Sequence, residues 1–296
     1  MGRWYIYLAT FVWRCTPFLS IRKLYLRFFL FLVRDLKKVS TIAGIRYELD
    51  LGETIEAAIY LGQYEKDVSR ALDHFCFEGA VVLDIGANIG AHTLPLAKKA
   101  GKSGAVHAFE PTGYAFTKLK RNVSLNPFNV SLYQVALSDR NEDSIEQELK
   151  SSWPTEGKGS KVSEVVRLKR LDDWCEENRV NGVHLIKLDV DGAEGEILKG
   201  AQGVLAGSHP VVVMEVGDYH FHDASKNPVL ILQNLGYHFY DIKTGKPYSG
   251  VDDVRRMVPQ ADDNMTINIV AVAGSLSTKS VWDLRSPVIV DQKAGS

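Results

Sequence analysis

Residues 81–90 read Val81-Val82-Leu83-Asp84-Ile85-Gly86-Ala87-Asn88-Ile89-Gly90, an apolar run closed by an acid and followed by two glycines. So short an apolar run, broken by glycine, fits a buried strand better than a helix. Gly86 and Gly90 let the backbone turn tightly and approach a ligand with no Cβ in the way. From this stretch onward apolar segments alternate with amphipathic ones. Strands are predicted at 80–84, 104–109, 130–135, 184–189, 211–216, 236–241 and 266–273, with helical faces between them such as Phe116, Leu119 and Val123, or Ile197, Leu198, Ala201, Val204 and Leu205. That alternation is the pattern of parallel βαβ units with helices on both faces of a sheet. Residues 242–265 carry turn residues and no helical period, so the last two strands are expected to pair as an antiparallel hairpin at one edge. The predicted fold class is α/β, a doubly wound, seven-stranded, mostly parallel sheet.

Upstream of that domain, Thr54 is placed to cap a short helix that stops at Gly62, and Val68, Ala71, Leu72, Phe75 and Cys76 follow at helical spacing. The predicted organisation is an N-terminal helical segment over 1–40, a helical preface over 41–79, the α/β domain over 80–280 and a tail over 281–296. Residues 139–162, polar and holding Trp153-Pro154, are expected to form a long excursion over the edge of the site.

Residues 1–38 hold eight Lys or Arg against the single acid Asp35, so the formal net charge of −1 for the whole chain leaves the remainder acidic. An acidic body is a poor partner for a nucleic-acid backbone, which excludes DNA and RNA as the expected acceptor. The apolar runs Trp4–Trp13 and Leu24–Val33 are each about half the length a spanning helix needs. Joining them would bury Arg14, Arg22, Lys23 and Arg27 in the bilayer. The aromatic, cation-bearing segment suits a membrane interface, and a peripheral contact through residues 1–38 is the expectation, with packing on the chain's own domain as the alternative. Cys15, Cys76 and Cys175 form no CxxC pair and imply neither a disulfide framework nor a zinc site. A cytoplasmic, reducing setting follows.

In open α/β sheets ligands bind beyond the carboxyl ends of the strands, where strand order reverses. A G-x-G-x-x-G dinucleotide loop would need glycine where Asn88 stands. Asp84 at the strand end suits an ammonium-bearing ligand better than a pyrophosphate, and the aminoacyl end of S-adenosylmethionine offers such a cation. Glu110, after Phe109 at the next strand tip, can accept both hydrogen bonds of a ribose diol. Ala136-Leu137-Ser138, after the third strand, are placed to pack on an adenine.

The segments VVLDIGANIG, HAFEPT, VALSD and LIKLDVDGAEGEILKGA, preceded by Gly62-Gln63-Tyr64-Glu65, resemble the FkbM-type family of class I methyltransferases in order and spacing. The resemblance covers roughly residues 60–275. It implies a Rossmann-like class I fold, S-adenosylmethionine as cofactor and methyl transfer to oxygen, with Asp84, Gly86, Asn88, Gly90 and Glu110 as matched cofactor positions. His92 departs from the aromatic residue expected there, and the N-terminal forty residues lie outside the pattern.

Asp189 is the first candidate for the base that takes a proton from the acceptor hydroxyl, with the cofactor's ammonium as its rival partner. His220, with His222 and Asp223 beyond the strand that carries Glu215, is the second. Asp189, Asp191, Glu194 and Glu215 could offer oxygen ligands to Mg²⁺, but acids at a helix start are more often caps, and no obligatory metal is expected. The expected acceptor is a saccharide, a lipid-linked glycan or another small hydroxylated molecule. Methylation of a protein or amine, a noncatalytic binding module and a nicotinamide oxidoreductase are the competing readings; the oligomeric state is open.

Overall fold

The computed structural model describes residues 36–150, 161–259 and 265–274. The aromatic-basic runs of the N-terminus, Trp153-Pro154 and the tail over 281–296 lie outside the described residues.

The chain enters through a hairpin of β1 (Lys37–Ile42) and β2 (Ile45–Asp50). Its two-residue turn, Ala43-Gly44, takes positive φ at both positions (49° and 77°), the geometry that matches strand twist in a tight hairpin. Ile45, Tyr47 and Leu49 alternate inward along β2. The helical preface over 41–79 therefore holds only from α1 (Thr54–Leu61) and α2 (Lys66–Phe75) onward; the hairpin before them is a correction. α1 ends where predicted, with Gly62 in the left-handed conformation.

Next come β3 (Val81–Ile85), α3 (Thr93–Ala100), β4 (Ala105–Phe109), α4 (Gly113–Ser124) and β5 (Val130–Tyr133), parallel neighbours in register Ile85↔Phe109 and Phe109↔Tyr133. The predicted third strand stops at Tyr133. β6 (Ala136–Ser138) leaves the main sheet and joins β7 (Glu142–Lys150) and β8 (Lys161–Arg170) in a separate three-stranded sheet of order β6-β8-β7. The described part of the polar excursion is thus strand rather than loop: β7 pairs antiparallel with β8, along which Val166 and Leu168 are buried while Ser163, Val165 and Arg167 are exposed.

α5 (Leu171–Asn178), β9 (Leu185–Leu188), α6 (Glu194–Lys199), α7 (Gln202–Ser208) and β10 (Val211–Gly217) complete the central units. α8 (Pro228–Asn234) starts at Asn227, whose side chain caps Val229 and Leu230 N–H groups, with proline in the first turn, where its missing N–H costs nothing. Then come β11 (Tyr237–Asp241), α9 (Val251–Met257) and β12 (Thr266–Ala273).

The seven-stranded order is β11-β12-β10-β9-β3-β4-β5. β11 and β12 pair antiparallel as expected, but β12 also pairs antiparallel with β10, so the reversed strand sits inside the sheet and β11 forms the edge. The short α9, with Val254 as its buried residue, is too brief to show a period, and the sequence reading missed it. Helices α2 and α3 cover one sheet face around Val82, Val106, Leu185 and Val213; α5 to α8 cover the other around Leu83, Ile186, Val212 and Met214. Among the described residues no helix is long and apolar enough to cross a membrane.

Strand order reverses between β3 and β9, which are hydrogen-bonded neighbours, so the crevice of a doubly wound sheet opens beyond Ile85 and Leu188. Leu185, fully buried in β9, anchors that junction from below. Leu185→Ala is expected to cost about 2.7–5 kcal/mol, measured as a lowered midpoint in urea unfolding.

Candidate functional site

At the end of β3 the loop Gly86–Gly90 doubles back on β4, as Gly86 and Ala87 N–H groups both donate to the Phe109 carbonyl (3.0 and 2.9 Å). Gly86 (φ 80°), Asn88 (φ 48°) and Gly90 (φ 93°) all take left-handed conformations. A Cβ on Gly86 would lie 1.8 Å from the Asp189 carbonyl oxygen. No other residue fits there, because the loop and the end of β9 are in backbone contact.

Glu110 is buried at the tip of β4. Its Oε2 accepts the Asn88 N–H (2.9 Å), and its Oε1 accepts the Thr112 N–H (2.9 Å) and hydroxyl (2.6 Å). Burial pushes its carboxyl upward in pKa and these hydrogen bonds oppose that. Glu110 thereby ties the glycine loop to the start of α4. From the other side, Glu164 of β8 accepts the Gly113 N–H (2.8 Å), so the small sheet is fastened to the same helix start. Ala136 is half-buried in β6, whereas Leu137 is buried in the core. The side chain of Leu137 packs in the core cluster with Phe109 and Trp174.

Asp84 is fully buried. Its Oδ2 accepts the Thr93 hydroxyl (2.6 Å), while Oδ1 has no hydrogen-bond partner. The cation beside it is Lys187, from β9, which the motif contained but sequence reasoning gave no role. The Lys187 ammonium stands 3.8 Å from Asp84 Oδ1 and 3.2 Å from Asp189 Oδ2, and donates to the Gly86 carbonyl at 2.9 Å. Burial alone would drive the proton off Lys187; Asp189 and Asp84 outweigh it and raise its pKa. The only advance signal was a lysine in an otherwise apolar strand.

Asp189 is half-buried at the carboxyl end of β9 and faces two further acids. Oxygens of Asp189, Asp191 and Glu215 lie within 4.8 Å of one another. Glu194, grouped with them by sequence, points elsewhere: it is fully buried, its Oε1 accepts the Val190 N–H and its Oε2 the Gly192 N–H, both at 3.0 Å. His220 completes that arrangement. Its Nε2 meets Glu194 Oε2 at 2.7 Å and its Nδ1 accepts the Gly217 N–H at 3.1 Å. Both ring nitrogens of His220 are engaged and the side chain is buried, which makes it a positioning residue for the 190–194 loop and corrects its expected place among the proton acceptors. His222 is exposed and pairs with Asp218, and Asp223 caps Ser225, so neither joins the crevice.

The carboxyl of Glu215 is strongly shifted. Burial, with Asp189 next and Asp191 and Glu194 adding, pushes its carboxyl up to about 7, against the hydrogen bond that Thr266 donates to it at 2.5 Å. On the opposite side Tyr64 packs on His92, ring centroids 5.3 Å apart, and His92 Nε2 lies 2.8 Å from Glu65 Oε2. That contact gives the histidine a partner in the Gly62–Glu65 segment.

Two outcomes follow from these geometries. Lys187→Met, which keeps the length of the side chain and removes its charge, leaves buried Asp84 uncompensated and is expected to destabilise the fold by about 3–5 kcal/mol, read by urea unfolding. Glu215 binds its proton more tightly folded than unfolded, so its contribution to stability is lost as pH rises from about 4.5 through about 7. Glu215→Gln is therefore expected to flatten the fall in melting temperature over that window; a parallel profile would show that Glu215 titrates normally.

The profile of the methyltransferase FkbM domain matches residues 84–239, just over half of the chain. The hexuronic acid methyltransferase AglP of Haloferax volcanii is 31% identical over 150 residues, covering 50% of this chain and 61% of that protein. The 2-O-methyltransferase NoeI of Sinorhizobium fredii is 30% identical over 145 residues, covering 42% and 58%. The chain thus spans about three-fifths of the length of these relatives. A solved FkbM methyltransferase from Methylobacillus flagellatus aligns at 16% identity and a TM-score of 0.42, over 66% of this chain and 44% of that one. The cofactor of this fold and family is S-adenosylmethionine, and the crevice fits it: an orphaned buried Asp84 oxygen, a carboxylate at the tip of β4 and a glycine loop between them. Matched over its β3-to-β11 core, the chain belongs to the FkbM family of S-adenosylmethionine-dependent methyltransferases.

Proposed function

We propose that this chain methylates a hydroxyl group of a saccharide or a similar hydroxylated acceptor. The observation that carries the reading is the meeting, at the β3/β9 switch point, of the glycine loop, Glu110 and the acids Asp189 and Glu215. The names of the two relatives, one acting on hexuronic acid and the other a 2-O-methyltransferase, support an oxygen on a sugar.

S-adenosylmethionine, when bound, supplies an electrophilic methyl group on a sulfonium. The chain's own residues then have three tasks. Asp84, Lys187 and Asp189 sum to one negative charge, which the cofactor's ammonium would balance, with Asp84 Oδ1 the oxygen that lacks a hydrogen-bond partner. Glu110 would hold the ribose diol with its remaining acceptor capacity, and the loop through Gly86, Asn88 and Gly90 would give it room. Holding donor and acceptor in line is the largest contribution, about 7–11 kcal/mol for well-oriented reactants.

The third task is the acceptor's proton. Asp189, already paired with Lys187, is suited to orient the hydroxyl. Glu215, with its carboxyl pushed up to about 7, is the better-matched proton acceptor near neutral pH. Residues 1–38 are assigned a peripheral contact with an anionic membrane surface on their cationic and aromatic composition.

Calorimetric titration of S-adenosylmethionine, S-adenosylhomocysteine and NAD tests the cofactor site. The first two are expected to bind saturably and NAD not at all, with Asp84→Ala and Glu110→Ala each weakening them by about tenfold or more. Binding of NAD, or of none, would overturn the reading. With a labelled methyl donor and a panel of glycans, Glu215→Gln is expected to lower kcat by ~10²-fold or more. Methyl incorporation into amines alone would reject the hydroxyl acceptor.

A further inference from the structure

A second concavity of about 670 Å³ lies between the β1–β2 hairpin and helices α1, α2 and α3. Its floor is apolar, with Ile42, Ile45, Tyr47, Ile59 and Pro95. Its rim holds four cations, Lys66, Arg70, Lys98 and Lys99, and one acid, Asp73. Lys99 is paired with Asp73 (2.9 Å) and Arg70 with Asp67 (3.0 Å). Lys98 donates to the Ala43 carbonyl at 2.6 Å and, like Lys66, forms no ion pair with an acid among the described residues. An apolar floor under a net positive rim complements neither a free sugar, which needs polar partners, nor a simple anion, which gains nothing from apolar walls. It complements an amphiphile whose head is anionic. The chain's own residues 1–35 are a poor occupant, because their six cations would meet a cationic rim.

The groove is not remote from the crevice. Tyr64 lines it and packs on His92, two residues past Gly90 of the glycine loop, with ring centroids 5.3 Å apart. One side chain is a wall of the groove and a neighbour of the segment that follows the glycine loop.

We propose that this groove binds the lipid monophosphate part of a lipid-linked acceptor, its hydrocarbon chain along the apolar floor and its phosphate at the rim beside Lys66 and Lys98. The proposal rests on the methyl-transfer reading for what the acceptor undergoes, but not for whether the lipid binds. It narrows the acceptor from any saccharide to one carried on an anionic lipid, delivered from the side of Tyr64.

The test is calorimetric titration of the full-length chain with dodecyl phosphate below its micellar concentration, compared with dodecyl maltoside and inorganic phosphate. Dodecyl phosphate is expected to bind saturably, dodecyl maltoside at least about tenfold more weakly, and inorganic phosphate not measurably. The double variant Lys66→Glu/Arg70→Glu, on exposed positions of α2, is expected to weaken dodecyl phosphate by about tenfold or more. Ser69→Trp, which fills the groove from its exposed edge, is expected to abolish binding, with S-adenosylmethionine affinity unchanged in both variants. Absence of dodecyl phosphate binding overturns the proposal, whether the groove is covered by residues 1–35 or by a second copy. Equal binding of the maltoside overturns the phosphate rim. Binding that persists undiminished in both variants belongs to the basic N-terminus and overturns the groove. Failure of S-adenosylmethionine to bind, with dodecyl phosphate still bound, strikes the methyltransferase reading and leaves the lipid site standing.

Discussion

The crevice depends on one buried cation. Lys187 lies on the central strand β9, away from water, and three oxygen-bearing groups from two different strands converge on it: Asp84, Asp189 and the Gly86 carbonyl. Removing a lysine from water costs several kcal/mol unless its charge is met. Two carboxylates meet it, and in doing so they are held where the glycine loop turns and at the carboxyl end of β9. The same contact fixes how closely β3 and β9 approach beyond their last paired residues, a gap so narrow that only glycine fits at position 86.

Around that centre each loop of the crevice is fastened by a buried carboxylate that accepts backbone N–H groups. Glu110 holds the glycine loop to the start of α4, and Glu194, with His220 beneath it, holds the turn in which Asp191 and Gly192 take left-handed conformations. Glu194, which meets two backbone N–H groups and His220, is not free for other chemistry. Asp189, Asp191 and Glu215 are the acids left facing one another, and their mutual repulsion, added to burial, is what moves Glu215 toward neutral pH. Within residues 189–194, Glu194 is thus committed to the backbone while Asp189 faces Glu215.

Much of this was legible in residues 81–90 and 184–201. The parallel strands there are continuous apolar runs buried on both faces, and the cofactor positions follow from where a glycine loop must fall in such a sheet. The hairpin over residues 37–50 was legible but missed: Ile45, Tyr47 and Leu49 alternate with Arg46, Glu48 and Asp50, the period-two pattern of a half-buried strand, while the Ala43-Gly44 turn is a weaker signal than asparagine-glycine. β7 and β8 were obscured by their many charges. α9 was too short to display a period.

By itself the sequence determined the fold class, the alternating βαβ units of the central sheet, the family and its cofactor, since these depend on local apolar runs and on glycine and acid spacing. The tertiary structure alone decided which acids remain available, the role of Lys187, the engagement of both His220 nitrogens and the cationic groove beside Tyr64. The physical reason is that burial and pairing are properties of contacts between distant segments: Lys187 meets Asp84 across more than a hundred residues of chain, and no spacing rule within one segment can tell a carboxylate that will be capped from one that will be left to react.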